Sequence, residues 1–176
     1  MYYIGYDIGS SSVKTAIVEA ETGKKVIVLN EPQNEMEIVS LHSDWAEQDP
    51  EMWWQYICTT TKIAIKESNI DASKIQGVGI SYQMHGLVIV DKELNALRNS
   101  IIWCDSRAVE IGNKAYAEIG QEKCMEHLLN SPGNFTASKL KWVKENEPEV
   151  YNKIYKYMLP GDYIALKLTG EVTTTK

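Results

Sequence analysis

The sequence predicts an α/β fold: a mixed β-sheet that opens as an antiparallel meander, gains a parallel strand, and is flanked by helices. Two observations lead there. Residues 2–31 carry three short apolar-rich runs separated by polar turns, the pattern of successive hairpins. A helix with strong start signals follows, and Ile75–Tyr82 is strand-forming again; a strand reached through a helical crossover joins its sheet in parallel.

The first run, Tyr3-Ile4-Gly5-Tyr6-Asp7-Ile8, enters the turn Gly9-Ser10-Ser11-Ser12 and returns as Val13, Ala16 and Val18. Asp7 sits where the first strand ends. Gly9 allows a tight turn and close approach of a ligand, and the three hydroxyls after it can converge on an anion. Read this way, the turn is a phosphate cradle with a magnesium partner, because Mg²⁺ needs only one or two carboxylates beside waters and phosphates. Read the other way, Gly and Ser merely suit an ordinary hairpin. The stretch alone leaves both readings open.

Glu21-Thr22-Gly23-Lys24 makes the second turn before the strand Lys25–Leu29, and residues 32–48 read as polar and irregular. Asp49-Pro50-Glu51 starts a helix: an N-cap, Pro at the first helical position, and an acid favoured by the helix dipole. It runs to about Ser68, with Trp53, Ile57, Thr60 or Thr61, and Ala64 as the buried stripe and Trp53 and Trp54 as packing anchors. In Ile75–Tyr82, Gly77 and Gly79 predict close approach of a neighbouring backbone. Gln83-Met84-His85-Gly86 breaks the pattern for one turn, and Leu87–Asp91 resumes as strand. Ile101–Arg107 is a short strand ending on polar residues, and Asp105 or Ser106 is expected to cap a helix over 107–119.

A helix over about 121–130, a loop over 131–136 and a helix through Lys139–Val143 come next. Pro148 opens a short helix, Tyr155–Leu159 is a short strand, and Gly170 stops a helix over Asp162–Leu168. The β-prone segment Glu171–Lys176 has no closing element, which predicts continuation in a longer chain. Asp7, Gln83–Gly86 and Trp103–Arg107 thus place polar groups at three strand ends, where open α/β sheets gather ligands.

Composition narrows the function. At 176 residues the prior is one domain with a substantial core, and no apolar stretch approaches membrane-spanning length. The start lacks a basic signal-peptide region, so a cytoplasmic location is expected. Cys58, Cys104 and Cys124 are odd in number and widely spaced, which argues against a disulfide framework or a zinc site. A net charge of −6 gives no electrostatic reason to bind nucleic acid or an anionic membrane.

Four nucleotide, metal and hydrolase motifs fail. The only Gly-Lys pair, Gly23-Lys24, has Val18 where a Walker A loop needs Gly, and Tyr82 stands where a dinucleotide fingerprint needs its third Gly. His42, His85 and His127 lack zinc-site spacing, and there is no Gly-x-Ser-x-Gly elbow.

Asp7-Ile8-Gly9-Ser10-Ser11-Ser12-Val13-Lys14 resembles the first phosphate-binding hairpin of the sugar-kinase, actin and chaperone ATPase superfamily. Trp45-Ala46-Glu47-Gln48-Asp49-Pro50, Gln83-Met84-His85-Gly86, Ile102-Trp103-Cys104-Asp105-Ser106-Arg107, Lys139-Leu140-Lys141-Trp142 and Leu159-Pro160-Gly161-Asp162-Tyr163 follow in the order and spacing of the FGGY carbohydrate kinases. On these ordered motifs the chain is identified as a member of that family, and Gln83–Gly86 resembles its D-xylulose-phosphorylating branch. Cys104 departs from the more usual Asn, and Ser10 from Thr.

The resemblance implies a ribonuclease-H-like (actin-like ATPase) domain over 1–176, the first of two in such kinases, with ATP and sugar bound between them. It implies ATP and Mg²⁺ as cofactors, a small-molecule sugar as partner, and phosphorylation of a ketopentose, D-xylulose to D-xylulose 5-phosphate. A homodimer of the full-length protein is the expected assembly. Asp7 would position Mg²⁺, through water, and the transferring phosphoryl group; Gly9, Ser10, Ser11, Ser12 and Lys14 would line the phosphate side. Met84, His85, Trp103, Asp105 and Asn134 would bind the sugar. The proton-accepting Asp and most of the adenine site belong to the second domain, so this piece alone is expected to be inactive. Trp103 as core, Asp105 as a helix cap and Lys14 as a solvated strand residue remain open readings.

Three rival functions share some of these features. An actin-like switch or filament ATPase would share the hairpin but has no use for Gln83–Gly86. A catalytically silent sugar-binding protein of kinase ancestry could keep that motif, and other FGGY kinases act on ribulose, gluconate or glycerol.

Overall fold

A computed structural model describes residues 1–174; Thr175 and Lys176, the end of the predicted β-prone tail, lie outside them. The element order is β1 (Tyr2–Ile8), β2 (Val13–Glu19), β3 (Lys25–Glu31), β4 (Glu47–Gln48), α1 (Pro50–Ser68), β5 (Ile75–Tyr82), β6 (Val88–Val90), β7 (Ser100–Ile101), α2 (Val109–Ile119), α3 (Gln121–His127), α4 (Thr136–Asn146), α5 (Pro148–Tyr151), β8 (Lys156–Met158) and α6 (Pro160–Thr169). Two compact units divide the chain: residues 1–37, 50–83 and those from Gly161 in one, residues 38–49 and 84–160 in the other.

The first unit holds a four-stranded sheet in the order β3-β2-β1-β5. β1 and β2 are antiparallel from Tyr2↔Glu19 to Ile8↔Val13, β3 continues the meander, and β5 runs parallel to β1. Strand alternation makes one face of the meander the core: Ile4, Tyr6 and Ile8 from β1, with Val13, Thr15 and Ile17 from β2, are buried. α1 supplies Trp53, Ile57, Thr60 and Ala64 from one helical stripe, so the open choice at 60 or 61 falls on Thr60. The two hydroxyls nonetheless both bond to the sheet: Thr60 Oγ1 lies 2.6 Å from Thr15 Oγ1, and Thr61 Oγ1 lies 2.7 Å from the Tyr6 hydroxyl. The glycines of β5 differ from expectation. Gly77 faces the Tyr3 ring, not backbone, and Gly79 has open space where a Cβ would stand. Gly170 closes α6 by donating its N–H to Leu166 O at 2.7 Å, and residues 171–174 form neither helix nor strand.

The second unit is built from two short antiparallel pairs, β4 with β7 and β6 with β8, and from helices α2–α5. Leu87, Ile89, Ile101 and Val143 form its core, with Leu140, Trp142 and Tyr151 packed around them. Gly112 of α2 seats the turn Pro132–Asn134: a Cβ there would lie 2.3 Å from Gly133 Cα and 2.4 Å from Pro132 O. Only hydrogen fits at that contact. Among the described residues no helix is long and apolar enough to cross a membrane.

Candidate functional site

The β1–β2 turn of the first unit is closed by Gly9 N–H donating to Ser12 O at 3.0 Å, and Met36 N–H donates to Ser11 O at 2.8 Å. Asp7 projects from the face of β1 opposite Ile4, Tyr6 and Ile8, with Lys14 and Ser81 as its ladder neighbours. Its carboxylate is half exposed, and Lys14 Nζ lies 3.4 Å away. An exposed pair of this kind is worth about 0–1 kcal/mol, so Lys14 is easily drawn to an anion. A Cβ at Gly9 would stand 3.2 Å from Ser12 O and crowd the turn. These residues fit Mg²⁺ and phosphate: a lone accessible carboxylate beside three hydroxyls suits an ion whose remaining positions are water and phosphate oxygen. Among the described residues no group of three or more His, Cys, Asp or Glu side chains is arranged to hold an ion.

The expected sugar residues all lie in the second unit, on three segments that the fold ties together. His85 has a left-handed backbone, φ +61°, which is uncommon for a side chain of its size. Its ring stacks on Phe135 with centroids 4.7 Å apart and planes 20° from parallel. Burial, followed by the positive charge of Lys139, pushes the imidazole below its ordinary pKa. The ring is therefore neutral at pH 7, with one donor and one acceptor nitrogen. Met84 and Trp103 are exposed, at 64% and 47%. Asn134 donates its Nδ2–H to Trp103 O, while its Oδ1 is shielded from solvent and lacks a hydrogen-bond partner. An acceptor left without a partner in this way is rare in a folded protein.

Asp105 does not cap a helix. α2 begins at Val109 after Ala108 with no side-chain cap, and the Asp105 carboxylate is enclosed. It accepts from Arg107 Nη2 at 2.7 Å and from Ala46 N–H at 2.6 Å. Buried carboxylates persist when paired and hydrogen-bonded, and Arg107 supplies both. The guanidinium lies 3.9 Å from the Trp45 ring centroid and 4.9 Å from that of Trp142, and reaches Glu47 at 2.7 Å. Glu47 also binds Arg98, which bridges to Glu147 at 2.7 Å. Asp105 thus ties the 103–107 segment to Ala46 and Arg107, with its carboxylate buried.

Sequence reasoning gave Lys139 no role. The residue is 0% exposed, and its Nζ donates to His85 O at 2.9 Å and Asn134 O at 3.0 Å. Burial pushes its pKa down to about 8; Asp105 and Cys104 pull it back up in part, and Arg107 pushes it further down. One signal was available: Lys139 lies one helical turn before Val143, on the buried stripe of α4.

The family model described as FGGY family of carbohydrate kinases, N-terminal domain, matches residues 2–176. The chain belongs to the FGGY carbohydrate kinases. Its fold class is the expected one, a mixed α/β domain of the actin-like ATPase kind. It is similar to the xylulose kinase of Escherichia coli, 36% identical over 169 residues that make up 96% of this chain and 34% of that protein. A xyloylose kinase from Brucella ovis superposes with a TM-score of 0.86 at 34% identity, over 97% of this chain and 35% of the other. A gluconate kinase from Lactobacillus acidophilus superposes at 0.84 with 25% identity, over 97% of this chain and 34% of the other. The FGGY chain described here spans about a third of the length of these relatives.

Proposed function

We infer that the full-length protein phosphorylates a ketopentose, D-xylulose at its 5-hydroxyl, using ATP, and that these 176 residues supply the sugar-reading groups and the first phosphate hairpin. The observation that carries this reading is the second-unit cluster: the Asn134 amide, the His85 ring stacked on Phe135 and an exposed Trp103 on segments linked by hydrogen bonds. A polyol asks for this combination, with donors and acceptors for its hydroxyls and a flat apolar face for its C–H edge. Relatives named xylulose kinase support the choice of sugar.

His85 and Asn134 then bind and orient hydroxyls, Trp103 and Met84 cover the carbon skeleton, and Asp105 holds Trp103 in place through Arg107 and Ala46. Gly9, Ser10, Ser11, Ser12 and Lys14 would bind phosphate oxygens, and Asp7 would hold Mg²⁺. The ion, when bound, neutralises charge on the phosphates; phosphoryl transfer is otherwise mainly positioning.

The test is an ADP-release assay on the full-length protein with D-xylulose, D-ribulose, L-ribulose, glycerol and gluconate. The expected result is the highest kcat/KM for D-xylulose. Preference for gluconate or glycerol would replace the substrate and keep the kinase, and no sugar-dependent ADP release would leave a silent sugar-binding protein.

A further inference from the structure

We propose that Lys139 is a positioning residue for sugar recognition: by donating to the main-chain carbonyls of His85 and Asn134, its ammonium sets the spacing between the two side chains that read the sugar hydroxyls. The inference rests on the sugar-binding reading above and adds a residue that does not itself reach solvent.

The argument starts from the expense of the arrangement. An ammonium removed from water is tolerated only where strong acceptors replace the lost hydration, and Lys139 has two backbone oxygens in that role. The His85 oxygen lies within the motif between β5 and β6, and the Asn134 oxygen at the end of the single 3₁₀ turn Pro132–Asn134 before α4. Loops of this kind have no ladder to fix them, and His85 with φ +61° is in a conformation its own sterics disfavour. The Asn134 turn is seated on Gly112 of α2, and on the His85 side the restraint comes from α4 and the residue that precedes it. Lys139 holds the His85 carbonyl, Phe135 stacks on the His85 ring, and Thr136 Oγ1 donates to Gly86 O at 3.3 Å. The ammonium holds the Asn134 carbonyl as well, so the same atom indexes both recognition loops to the helix. A hydrophobic side chain at 139 would fill the space equally well but would leave both carbonyls without this donor and remove the one group that binds them both.

The experiment compares wild type, Lys139→Met and Lys139→Gln in the full-length protein, with steady-state kinetics for D-xylulose, D-ribulose and ATP and a thermal melt for each. Expected for a folded Lys139→Met is a loss of at least about tenfold in kcat/KM for D-xylulose, carried by KM, with ATP KM within about twofold of wild type. Discrimination between D-xylulose and D-ribulose should shrink, and Lys139→Gln, which keeps N–H donors, should recover part of it. A merely structural lysine predicts a lower melting temperature with sugar selectivity intact. Unchanged sugar KM in a folded variant, equal losses for sugar and ATP, unaltered selectivity, or failure of both variants to fold overturns the inference. A wild type that phosphorylates neither sugar overturns the kinase reading itself and this inference with it.

Discussion

At the scale of single residues, the most consequential group is one whose charge is out of place. Lys139 is fully buried, and burial lowers its pKa from 10.5 to about 8. In the unfolded chain the ammonium keeps its ordinary value. Between those limits the unfolded state binds more protons than the folded one, so stability rises with pH from about 8 to about 10.5, and below 8 the full penalty applies. The shift corresponds to roughly 3 kcal/mol. The stability difference between wild type and Lys139→Met, which cancels the other titrating groups, should therefore move in favour of wild type across that window. Denaturant melts at pH 7.5 and 10 check it; a difference that is flat with pH would mean that Lys139 titrates normally. Little of this was legible in the sequence. Lysine is almost never fully buried unpaired, so Lys139-Leu140-Lys141-Trp142 reads as a motif with a solvated charge, and its partners at 85 and 134 are joined to it only by the fold. The same distance hid the second partner of Asp105. An Asp just before a helix reads as a cap, whereas Trp45, Ala46 and Glu47, some sixty residues earlier, turn it into the counter-ion of a buried Arg107.

At the scale of elements, the short-period signals read correctly. The β1–β2–β3 meander, α1 with its stripe at Trp53, Ile57, Thr60 and Ala64, and the strand β5 all follow from alternation of period 2 or 3.6 within one segment. What failed were features set by neighbours. β7 is Ser100–Ile101, so only Ile101 of the strand expected over Ile101–Arg107 is strand, because β7 pairs with the two-residue β4 and nothing extends the ladder. Gly112, by contrast, was unremarked as one glycine within a helix, yet it seats the turn that carries Asn134. Gly112→Ala puts a Cβ against backbone, which cannot rotate away, and overpacking of this kind costs about 1–3 kcal/mol. The displaced turn should also raise the KM for the sugar while leaving the KM for ATP alone. Thermal melts and kinetics of the full-length variant check both parts; a stable variant with an unchanged sugar KM would mean that α2 does not position Asn134.

At the scale of the whole molecule, the two units divide the residues cleanly: every expected phosphate-side group lies in the first and every expected sugar-side group in the second. Two variants of the full-length protein test that division most directly, with kcat and the KM for D-xylulose and for ATP measured on each. Asp7→Ala should lower kcat on the order of 10²–10³-fold with the sugar KM little changed, because its carboxylate acts on metal and phosphoryl charge. His85→Leu leaves a sugar hydroxyl without its buried partner, a loss of about 1–3 kcal/mol, and should raise the sugar KM by about 10–100-fold with the ATP KM unmoved. Loss of sugar affinity in Asp7→Ala, or equal effects of His85→Leu on sugar and ATP, would contradict the assignment of phosphate to one unit and sugar to the other.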